Sequence, residues 1–129
     1  MTAKRYLLDA SALLAAIHNE QGGETVQQMI NDAAICSVNW SEVIQKLDRA
    51  GANTSNIINA LQALGLEIVA FDQDDAQIAA TLWPLTKPLG LSLADRACIA
   101  MGQRLSLIVV TADKAWKPLA DQQSIQFIR

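Results

Sequence analysis

Four acidic side chains, Asp9, Glu42, Asp95 and Asp113, fall where the chain changes from one kind of apolar pattern to another. Asp9 closes the first apolar run and Asp113 lies just past a later one, while Glu42 and Asp95 fall in first turns of expected helices that follow loops. In open parallel sheets, ligands bind beyond the carboxyl ends of the strands, so all four can reach one rim. Carboxylates crowded at a shielded rim repel one another and their pKa values rise unless a cation intervenes. No cysteine or histidine belongs to the pattern, so the donors would be hard oxygens, which suit Mg²⁺ or Mn²⁺ rather than zinc. Mg²⁺ keeps several waters while held by one or two carboxylates; such a water becomes more acidic and can attack phosphorus in line.

Each acid also has a simpler account. Asn39-x-x-Glu42 and Ser92-x-x-Asp95 both read as capping boxes, and Asp9 and Asp113 can cap the helix or turn that comes next. An acid in a first helical turn gains ~0.3–1 kcal/mol from the macrodipole. Asp72-x-x-Asp75 has the same grammar and serves as an internal control, with no chemistry assigned to it.

The elements that must position these residues are set by periodicity and punctuation. Short apolar runs at 4–10, 33–38, 66–71, 106–111 and 124–129 read as strands. Helices are expected over 11–18, 23–33, 39–51, 53–65, 72–83 and 91–100, with a helical turn at 112–119. The stretch "PLTKPLG" at 84–90, with two prolines and a glycine, reads as a loop. Strands apolar throughout and separated by helices indicate a parallel sheet covered on both faces. The expected class is α/β, a three-layer α/β/α sandwich around a central parallel sheet of about five strands.

At 129 residues the chain is most simply one domain, 1–129, and large enough for a proper core. A hydrophobic share of 51% against 18% charged argues against disorder. No apolar run approaches the roughly 18 residues of a membrane span, and the N-terminal stretch is broken by Asp9, so neither membrane nor signal peptide is expected. Cys36 and Cys98 form no CxxC pair; free, buried thiols in a reducing cytoplasm are expected. Net charge is −3, not the basic excess usual for a nucleic-acid binder. Setting the four acids aside leaves ten bases against nine acids, and bound cations would turn the rim from repelling phosphate to attracting it.

The blocks "YLLDASALLA" (6–15), "NWSEVIQKL" (39–47), "GLSLADRACIAMG" (90–102) and "VVTADKAW" (109–116) together resemble PIN-domain nucleases, most closely the VapC-type toxins of bacterial toxin–antitoxin pairs. The resemblance covers nearly the whole chain in both order and spacing. It implies a PIN-like α/β/α fold and an acidic pocket that binds Mg²⁺ or Mn²⁺ and cleaves RNA. It also implies a separate antitoxin protein that blocks the site, and often a homodimer. By matching motifs the family's acids fall on Asp9, Glu42, Asp95 and Asp113, and Ser11 and Thr111 match its supporting hydroxyls.

On this basis Asp9 and Asp95 are expected to hold the metal directly or through water. Asp113 would complete the shell or hold a second ion, and Glu42 would bind through water or orient the attacking one. Ser11 is better suited to hydrogen-bond a water or phosphate than to act as nucleophile, since the sole histidine, His18, lies near a helix end. Lys46, Arg49, Arg96, Lys114 and Lys117 can contact the RNA backbone, or else form surface pairs such as Glu42–Lys46 and Asp113–Lys117. Trp40 and Trp83 are read as packing or interface residues.

Two other classes compete with the ribonuclease. A receiver-like phosphoacceptor would place Asp72 and Thr111 after strands, but this chain lacks the paired acids after the first strand and the lysine after the last that such a domain carries. A non-catalytic module binding RNA or a protein would be expected to have lost a site acid, and all four are present.

Overall fold

The apolar runs become five short strands in the computed structural model, which describes residues 2–129: β1 (Tyr6–Leu8), β2 (Ala33–Cys36), β3 (Glu67–Val69), β4 (Ile108–Thr111) and β5 (Ile125–Phe127). All pair in parallel, in the order β3-β2-β1-β4-β5. Each strand is shorter than its apolar run, because the flanking residues leave the ladder to cap or turn. The helices are α1 (Ala10–His18), α2 (Gly23–Met29), α3 (Ser37–Arg49), α4 (Thr54–Ala63), α5 (Gln73–Thr81), α6 (Trp83–Thr86) and α7 (Leu93–Leu105). Single 3-10 turns occupy Ile30–Asp32, Lys87–Leu89 and Lys114–Leu119.

Alternate residues of the central strands face opposite sides of the sheet, as the two-residue period requires. Leu8, Ile35 and Val110 join Leu13, Val26, Val43 and Leu47 on one face. Leu7, Cys36 and Val109 join Cys98, Ile99, Met101 and Trp116 on the other. Burial on both faces explains why these strands read as continuously apolar. Gly102 lets α7 lie close on β4: a Cβ there would collide with Val109 Cγ2.

Two expectations are corrected. β2 passes into α3 without a loop, so α3 starts at Ser37 rather than at position 39 and has no side-chain cap. The expected Asn39–Glu42 capping box is therefore absent, and Glu42 lies beyond the first turn. The 84–90 stretch is not a loop: Pro84 and Pro88 sit in the first positions of α6 and of the Lys87–Leu89 turn, where the missing N–H costs nothing.

Candidate active site at the β1–β4 switch point

The chain runs from β1 outward through β2 to β3, then crosses back to β4 beside β1. This reversal makes the carboxyl ends of β1 and β4 a topological switch point, the place where such sheets bind ligands. Asp9 comes directly after β1, and its N–H donates to Val110 O at 3.0 Å, continuing the β1–β4 ladder past the end of β1. Extended at ψ 176°, Asp9 is the N-cap of α1 and is only 3% exposed.

Its carboxylate is held from three sides. Oδ1 accepts from Ala12 N at 2.8 Å and from Ser11 Oγ at 2.7 Å; Oδ2 accepts from Thr111 Oγ1 at 2.5 Å. Both hydroxyls are themselves fixed, since Ser11 Oγ accepts from Ala112 N and Thr111 Oγ1 accepts from Asp113 N. Each hydroxyl has one proton and gives it to Asp9, so the cradle is built for the ionised form. Burial nevertheless raises Asp9 from 3.8 to about 6, against the lowering bonds from Thr111, Ala12 and Ser11, and the charge of Asp95 adds to the rise.

Asp95 forms the expected capping box of α7: its N–H donates to Ser92 Oγ at 3.1 Å, and its Oδ2 accepts from Ser92 N at 2.9 Å. Asp113 caps the 3-10 turn after β4, its Oδ1 accepting from Ala115 N at 2.9 Å. In both, capping occupies one oxygen and leaves the second without a hydrogen bond among the described residues. The capping account and the ligand account are thus compatible. Glu42, half-buried on α3, pairs with Lys46 at 3.5 Å.

Asn39 has a role its sequence position concealed. It lies inside α3, 1% exposed, and its Nδ2 donates to Ala94 O at 3.1 Å, tying α3 to the first turn of α7 beside Asp95. Its Oδ1 is buried without a partner. The only sequence signal was an amide three residues before Glu42, which reads equally as a cap.

Beneath the rim lies Cys98, whose thiol is pushed well up by burial and further by Asp9, Cys36, Asp95 and Glu42. Asp113 is exposed, linked to Asp9 through the shared Thr111 hydroxyl. Among the described residues no three His, Cys, Asp or Glu side chains close into a ready-made ligand cluster. The donor set is nonetheless all oxygen, with unused oxygens on Asp95 and Asp113. That suits an ion that keeps most of its waters.

The expected basic contacts separate. Lys46 is paired with Glu42, whereas Asp113–Lys117 is not formed, because a 3-10 turn repeats every three residues and does not stack positions four apart. Arg49, Lys114 and Lys117 are exposed, and Arg96 turns to α5, where its Nη1 donates to Ala79 O at 3.0 Å. His18 is the exposed last residue of α1, and Trp40 packs against the core. In the control pair, Asp72 and Asp75 form a capping box, and the fully buried Asp75 takes a two-pronged bond from Arg104 at 2.6 and 3.0 Å. No helix among the described residues is long and apolar enough to cross a membrane.

Comparison with solved structures finds the same architecture. A chain of a toxin–antitoxin complex from Klebsiella pneumoniae superposes with a TM-score of 0.76 at 19% identity, covering 96% of this chain and 98% of that one. A chain of DNA-bound VapBC from Salmonella typhimurium gives 0.76 at 14% identity, with 98% and 99% covered. One of FitAcB from Neisseria gonorrhoeae gives 0.70 at 20% identity, with 95% and 97% covered. No curated protein is similar enough in sequence to match. The family model for the PIN domain matches residues 6–122, nearly the full length, and the chain belongs to that family.

Proposed function

We propose that this protein is a Mg²⁺- or Mn²⁺-dependent endoribonuclease that hydrolyses RNA phosphodiester bonds, the toxin of a toxin–antitoxin pair. The observation that carries the reading is Asp9: a carboxylate 3% exposed, cradled as an anion at the sheet's switch point, yet raised to about 6 by burial. A structural cap gains nothing from such a position, whereas a cation ligand does.

In this reading Asp9 and Asp95 hold the ion directly or through water, with Asp113 completing the shell. When bound, the ion supplies positive charge for the phosphate oxygens and makes water a better nucleophile. Ser11 and Thr111 keep Asp9 ionised and aimed, and Asn39 keeps α3 and Glu42 beside Asp95. Glu42 orients a water, its ion pair with Lys46 leaving its second oxygen available. Lys114 and Lys117, exposed next to Asp113, are candidates for the RNA backbone, together with Arg49, Lys46 and Arg96. Arg96 already spends one donor on α5. The structurally similar chains come from complexes described as toxin–antitoxin or VapBC, which supports an antitoxin as partner. A homodimer acting on RNA in the cytoplasm completes the proposal.

The test is cleavage of single-stranded RNA by the purified chain, with added Mg²⁺ or Mn²⁺ and with EDTA. Cleavage should require the ion and be lost in Asp9→Asn and Asp95→Asn, with circular dichroism unchanged. Undiminished cleavage by both variants, or none by the native chain with either ion, refutes the assignment; the latter leaves a binding module.

A further inference from the structure

Three of the four large apolar side chains that stand exposed among the described residues occur within eleven positions: Trp83 at 48%, Leu85 at 41% and Leu93 at 60%. They are not loose. Around them Leu82, Leu89 and Leu91 turn inward onto the core that holds Cys98 and Trp116, and the buried Thr86 hydroxyl donates to Leu82 O at 2.8 Å. Leu91 N closes back on Thr86 O, and Pro84 and Pro88 stiffen both short helical pieces. The outward ring of Trp83 is therefore fixed by the inward anchors on either side.

Two further observations say what such a ring faces. Lys87 Nζ lies 4.7 Å from the Trp83 ring centroid, an aromatic and a cation presented together. Lys87 is also the sole charge from residue 76 to 94, a stretch without a single acid in a chain of net charge −3. One hydrogen bond fixes where the pair stands. Arg96 Nη1 on Ala79 O holds the last turn of α5 against the first turn of α7, so Trp83, four residues on, stands at the Asp95 end of that helix pair.

On the strength of the ribonuclease reading, we propose that Trp83 and Lys87 form a nucleotide subsite at the end of the α5–α7 pair that carries Asp95. There a base of single-stranded RNA stacks on the indole and its phosphate meets the Lys87 ammonium. An aromatic beside a cation is the combination by which single strands are held without sequence readout. A second copy of the chain fits less well, since a two-fold contact through these side chains would bring Lys87 towards its symmetry mate.

One stacked base changes affinity by roughly tenfold. Trp83→Ala should raise KM for a short single-stranded RNA about tenfold with kcat unchanged. It should weaken binding equally to the cleavage-blocked Asp95→Asn chain, read by fluorescence anisotropy of a labelled oligouridylate. Trp83→Phe should restore most of both. Lys87→Gln should flatten the slope of log affinity against log salt by about 0.7, the share of one phosphate contact on a single strand, while Trp83→Ala leaves that slope alone. If the native chain cleaves RNA and Trp83→Ala has native KM, the subsite is wrong and the nuclease reading stands. If the native chain neither binds nor cleaves RNA, both fall. If Trp83→Ala shifts the sedimentation of the chain and leaves RNA affinity untouched, the face holds a second copy and the subsite is refuted.

Discussion

Asp9→Asn should make the metal-free protein more stable at neutral pH, although it removes the best-connected side chain of the site. In the folded chain Asp9 titrates at about 6 rather than 3.8. Between these values the folded chain keeps a proton that the unfolded chain has released, so stability falls as pH rises through the window and levels off above it. A shift of that size corresponds to about 3 kcal/mol at pH 7 and above. Asparagine does not titrate, and its Oδ1 can still accept from Ala12 N and Ser11. Its Nδ2 would face Thr111 Oγ1, whose proton must then swing to Ser11 Oγ, 3.3 Å away. That rearrangement costs about 1 kcal/mol. A net gain of about 2 kcal/mol remains, roughly 8 °C in Tm for a chain of this size. Urea unfolding of both proteins from pH 4 to 8 in EDTA measures it directly: native stability should decline relative to the variant between about pH 4 and 6. Millimolar Mn²⁺ should then restore the native protein and leave the variant unchanged. Parallel pH profiles, or a variant less stable at pH 7.5, would show that Asp9 is only a cap and refute the reasoning.

Asp75, buried but held below its ordinary value by Arg104 and Asp72, predicts the opposite slope. Asp75→Asn should cost about 2–3 kcal/mol at pH 7, converging with the native protein as acid protonates Asp75, while RNA cleavage at 25 °C stays native. Gly102→Ala should destabilise by about 1–3 kcal/mol in urea, because α7 cannot retreat from Val109 without lifting off the sheet. Burial raises both Cys36 and Cys98 above the ordinary thiol range, so neither should react with a thiol reagent at pH 8 until the chain unfolds.

The local structure around three of the candidate acids was legible in the sequence. Asp9, Asp95 and Asp113 each cap a helix or turn, and caps are written in a few adjacent residues. Asn39 was misread for a related reason: "CSVN" continues the apolar pattern of β2, so nothing local reveals that α3 has already begun at Ser37. The prolines at 84 and 88 read as breakers because sequence does not show that each stands at a helical start. Contacts between distant positions carried no local signal. The Thr111–Asp9 bond joins residues 102 apart, and only the strand order β3-β2-β1-β4-β5 brings them face to face. The Arg104–Asp75 pair, 29 residues apart, is of the same kind.

Aspartate and asparagine are nearly interchangeable at the start of a helix, and asparagine would spare Asp9 the cost of burying a charge. A chain that needed only to fold could carry the amide at 9 and 113 and lose little. This protein keeps the acid at both, and under the metal-dependent reading proposed above that is the difference between ending a helix and also holding a cation.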